Sequence, residues 1–84
     1  MNFKKWKNIW LKERDEAIRT LDVEKFKEFY RKWTERGFYR NGLPSDEVIE
    51  ISLHKMLYHL GNATAEEKAI AEKWLAEHGS STDI

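Results

Sequence analysis

Apolar residues recur in four stretches of this chain at intervals of three and four, and no stretch alternates with a strand's period of two. In the first stretch Phe3, Trp6, Trp10, Ala17 and Leu21 share a stripe, with Leu11 and Ile18 on its flank. In the second, Val23, Phe26, Phe29, Tyr30 and Trp33 occupy an arc of about 120° and every other position is polar. The third carries Val48, Ile49, Leu53, Met56, Leu57 and Leu60 on one side, with Ile51, His54 and Tyr58 as a second stripe opposite. The fourth offers Ile70, Ala71, Trp74, Leu75 and His78.

Start and stop signals frame these stretches. Asp22, Ser45 and Thr64 each stand where a side-chain oxygen can accept from the free amides of a first turn. Glu67, three residues after Thr64, completes a capping box, and Leu21 can staple Phe26. Asn2 is the corresponding cap of the first stretch. Gly37, Gly61 and Gly79 follow the last three stretches, where a left-handed residue closes a helix without a Cβ penalty. Phe38 would then rest on Trp33, and Pro44 halts any helix ahead of Ser45. The pattern predicts an all-α, compact four-helix domain with helices over about 3–20, 23–36, 46–60 and 65–78, the first two antiparallel. One domain over 1–79 and a flexible tail over 80–84 are expected.

Eighty-four residues, 40% hydrophobic and 36% charged, suit a small folded domain rather than a disordered chain. Eleven aromatic rings let a small core bury much area, on the order of 150–250 Å² each. The chain lacks cysteine, which excludes disulfides, a thiolate nucleophile and Cys-ligated zinc, and a reducing cytoplasm suits it. No apolar run approaches a membrane span and Met1–Trp6 lacks a signal-peptide block, so the expectation is a cytoplasmic protein without a membrane partner.

The zero net charge conceals an asymmetry. Residues 1–40 hold twelve Lys and Arg against seven Asp and Glu, a balance of +5, and residues 41–84 hold three against eight, a balance of −5. Either the halves attract one another or the basic half meets an acidic partner.

Tests for chemistry exclude more than they find. His54 and His59, five apart, point to different sides of a helix, and no HExxH or inward Glu-x-x-His pair occurs, so no metal and no cofactor are expected. Ser45 is a cap, Ser80 and Ser81 lie in the tail, and no serine stands in a nucleophile elbow. The pairs Asp46-Glu47 and Glu66-Glu67 fall in first turns, where the helix dipole favours acids. No phosphate-cradling glycine motif is present. The expectation is no catalytic residue and no enzyme. The third and fourth helices have a helix-turn-helix cadence about Gly61-Asn62-Ala63, but the second of them is net acidic and phosphates would repel it.

Three binding readings remain open. The first is a protein–protein interaction module using the loop between the second and third helices: Tyr39 and Arg40, with Arg36 beside them, are residue types enriched at interface hot spots, and Ile51, His54 and Tyr58 offer either a second surface or the internal packing of a central third helix. The second is nucleic-acid binding through Lys4, Lys5, Lys7, Arg31 and Lys32, with Trp6 or Tyr39 as stacking rings. The third is a homodimer formed through the Ile51/His54/Tyr58 stripe.

The segments Leu43-Pro44-Ser45-Asp46-Glu47-Val48, Ser52-Leu53-His54-Lys55 and Ala71-Glu72-Lys73-Trp74-Leu75-Ala76-Glu77-His78-Gly79 resemble small uncharacterised helical proteins of bacterial phages and prophages. The resemblance covers the second half of the chain. It implies a bacterial or phage-infected cytoplasm and carries no activity or functional residue with it.

Overall fold

The computed structural model describes residues 3–37 and 42–83. Among them are four α-helices and no strand: α1 (Phe3–Thr20), α2 (Val23–Glu35), α3 (Asp46–His59) and α4 (Ala65–Glu77). The chain is all-α, and each helix starts where its cap or pattern predicts. The last three end one residue early because Arg36, Leu60 and His78 serve as C-caps.

The capping chemistry explains these limits. The Asp22 carboxylate accepts from the amides of Glu24 and Lys25 at 2.9 and 3.4 Å. Ser45 Oγ accepts from Val48 N–H at 3.4 Å. Thr64 and Glu67 form the reciprocal capping box, at 3.1 and 2.9 Å. Gly37 and Gly79 take positive φ, 86° and 68°, as helix stops require. At the α4 end Ser80 N–H bonds Leu75 O and Gly79 N–H bonds Ala76 O, the paired closure of a Schellman motif. Gly61 departs from expectation. The chain leaves α3 through Leu60 in extended backbone (φ −65°, ψ 126°), so no left-handed residue is needed there and Gly61 takes none. The left-handed residue that the sequence does not announce is Leu21, at φ 54° between α1 and α2, where its N–H bonds Ile18 O.

The chain divides into two units, Met1–Leu43 and Pro44–Ile84. In the first, α1 packs on α2. Trp6 near the start of α1 meets Trp33 and Arg36 near the end of α2, while Glu13 further along meets Lys32, so the pair runs antiparallel. Its core is Ala17, Phe29 and the fully buried Trp33, with Trp6, Trp10 and Phe26 packed against them.

In the second unit α3 packs on α4, and Ile49, Leu53, Leu57, Leu60, Ala71 and Leu75 are buried. Two residues expected in the core are not there: Val48 and Ile70 are each 48% exposed. The reason is rotation of both helices. The α3–α4 seam follows Leu53 and Leu57 and takes in His54, which leaves Val48 at the far edge of its arc. Beyond the Ser80 bond, His59 Nε2 donates to Thr82 O at 2.6 Å, holding residues 80–82 against the end of α3.

Candidate functional site

The α1–α2 unit brings its aromatic and basic residues together around one carboxylate. Glu13 lies on the apolar stripe of α1, between Trp6 and Ala17, which aims it at α2. There one oxygen accepts from Lys32 Nζ and the other from Trp33 Nε1 at 2.7 Å. A buried indole N–H needs such a partner, because leaving it unmade costs about 1–3 kcal/mol. Burial works to raise the Glu13 pKa. The hydrogen bonds from Lys32 and Trp33 and the charges of Lys32 and Arg36 outweigh it, and the carboxyl titrates below its ordinary 4.5.

Cations cover the rings around this carboxylate. The Arg36 guanidinium lies 4.6 Å from the Trp6 ring and 4.7 Å from Trp33, and those two indoles meet edge to face at 6.1 Å. Arg14 sits 5.2 Å from Trp10, Lys5 5.9 Å from Trp6 and Lys32 6.0 Å from Trp33. Arg36 is therefore half-buried as a structural clamp, and the face of Trp6 is taken up within the unit rather than offered to a base. Of the nucleic-acid candidates, Lys4, Lys5, Lys7, Arg31 and Lys32 are all exposed, though Lys32 is paired to Glu13 and Lys5 lies by Trp6.

Tyr39 and Arg40, first in the interaction reading, lie outside the described residues, as does Phe38. What flanks them is described. Gly42 and Leu43 line a groove of about 260 Å³ with Tyr30, Arg31, Thr34 and Glu35 of α2. Thr34 Oγ1 donates to Tyr30 O at 2.7 Å, which folds that hydroxyl back on its own helix. The groove thus joins a tyrosine, an arginine, a glutamate and an apolar leucine.

In the α3–α4 unit the Trp74 indole is sandwiched between two imidazoles. His54 lies 3.8 Å from it with the planes 6° apart, and His78 lies 3.8 Å away on a 16° tilt. Carbonyl oxygens only accept, so His54 Nδ1 donates to Glu50 O and His78 Nδ1 donates to Trp74 O, each at 2.7 Å. His54 is 5% exposed. That corrects its place in the second surface: it faces α4, not solvent, because α3 is turned to bring it onto Trp74. Ile51 and Tyr58 of that stripe remain half-exposed. Ile51 joins Glu47, Glu50, Trp74 and His78 around a cleft of about 200 Å³. Among the described residues no group of three or more His, Asp or Glu could hold a metal ion, and no helix is long and apolar enough to cross a membrane.

Sequence reasoning missed Glu13 as the centre of the first unit and left His54 open between internal packing and a partner surface. A signal existed for the first: a carboxylate standing inside an apolar helical stripe needs a buried partner. For His54 the signal was the apolar stripe itself, whose orientation only packing decides.

Comparison with protein-family models, with curated proteins and with solved structures found no match to this chain.

Proposed function

We propose that this chain is a non-enzymatic protein–protein interaction module that binds its partner through Tyr39 and Arg40 and through the groove on α2. The observation that carries the reading is that groove. Tyr30, Arg31, Thr34, Glu35, Gly42 and Leu43 line it. Tyrosine and arginine combine area, hydrogen bonding and charge at low entropic cost, and they dominate measured hot spots. Residues 1–40 carry a balance of +5, so the partner surface that fits is an apolar residue ringed by carboxylates. Arg36 clamps Trp6 to Trp33 within the same unit. A bacterial or phage-infected cytoplasm is the setting proposed, on the resemblance of the α3–α4 segments to phage and prophage proteins.

The test is capture from a bacterial lysate with the wild-type chain and with Tyr39→Ala/Arg40→Ala, each with and without nuclease. A protein retained by the wild type despite nuclease and lost by the variant supports the reading. Retention by both contradicts it.

The exposed Lys4, Lys5 and Lys7, clustered in the opening turns of α1, favour nucleic-acid binding as the second reading. It predicts a mobility shift with DNA or RNA that weakens steeply with salt, and no shift at low salt removes it.

A further inference from the structure

We draw no further inference here: the strongest candidate, the outer face of α3 where Val48, Ile51, Ser52, Lys55 and Met56 line a mainly apolar groove of about 430 Å³, is an unpartnered helix face, and nothing in the structure shows what covers it.

Discussion

Trp33, with none of its surface exposed, donates its indole N–H to Glu13 at 2.7 Å, and this bond ties the core of the α1–α2 unit to its charged face. Glu13 also holds Lys32, and Arg36 spans Trp33 and Trp6, so one carboxylate organises two cations and two indoles.

Replacing Glu13 by alanine leaves the Trp33 N–H and Lys32 without their acceptor. The expected loss is about 1–3 kcal/mol of unfolding free energy. Urea unfolding followed by tryptophan fluorescence measures it, and Glu13→Gln, which keeps an acceptor oxygen, loses less. An unchanged midpoint for Glu13→Ala shows that the bond carries no net stability.

The pH dependence has a definite sign. The Glu13 pKa is lower folded than unfolded, so the folded state favours the ionised carboxylate. The resulting stability is complete above the unfolded value near 4.5 and is lost as pH falls below it through the folded value. In Glu13→Gln that part of the acid destabilisation disappears. Parallel unfolding curves for wild type and variant through this window contradict the assignment.

In the second unit Trp74 holds two imidazoles, and His54 is buried with its Nδ1 bonded to Glu50 O. Trp74→Ala removes both stacks, with an expected cost of about 2–4 kcal/mol. Trp74→Phe keeps an aromatic face and costs less. The comparison is made by thermal unfolding, and equal losses for the two substitutions contradict a stacking role.

Two glycines separate backbone strain from packing. A Cβ meets nothing within 4 Å at either Gly61 or Gly79, but only Gly79 has positive φ, +68°. Gly79→Ala is expected to cost about 1–2 kcal/mol through the left-handed conformation. Gly61→Ala is expected to be neutral or to stabilise by about 0.4–1 kcal/mol, because the unfolded chain loses freedom. Thermal midpoints of the two variants decide, and a Gly61→Ala loss as large as that of Gly79→Ala contradicts the backbone reading.

Helix number, order and starts were legible because local chemistry sets them: Asp22, Ser45 and Thr64 accept from amides two and three residues away whatever the rest of the chain does. The stop at Gly61 was misread because glycine permits a left-handed turn without requiring one, and Leu60 ends α3 in extended backbone instead. Which side of an apolar helix turns inward depends on its neighbour. That is why Val48 and Ile70 were expected inside and the side that His54 faces stayed open. Within the candidate site, Tyr30, Arg31 and Leu43 share a groove because the chain beyond residue 41 returns along α2, a tertiary event that no local pattern encodes.

The central claim, that Tyr39 and Arg40 bind the partner together with the Tyr30/Arg31/Leu43 groove, is tested most directly by titrating the captured partner protein against the wild-type chain and against Tyr39→Ala/Arg40→Ala. The account predicts affinity at least about tenfold weaker for the variant, a loss of about 1.4 kcal/mol or more, with the helical circular dichroism spectrum unchanged. Equal dissociation constants for the two chains would contradict it.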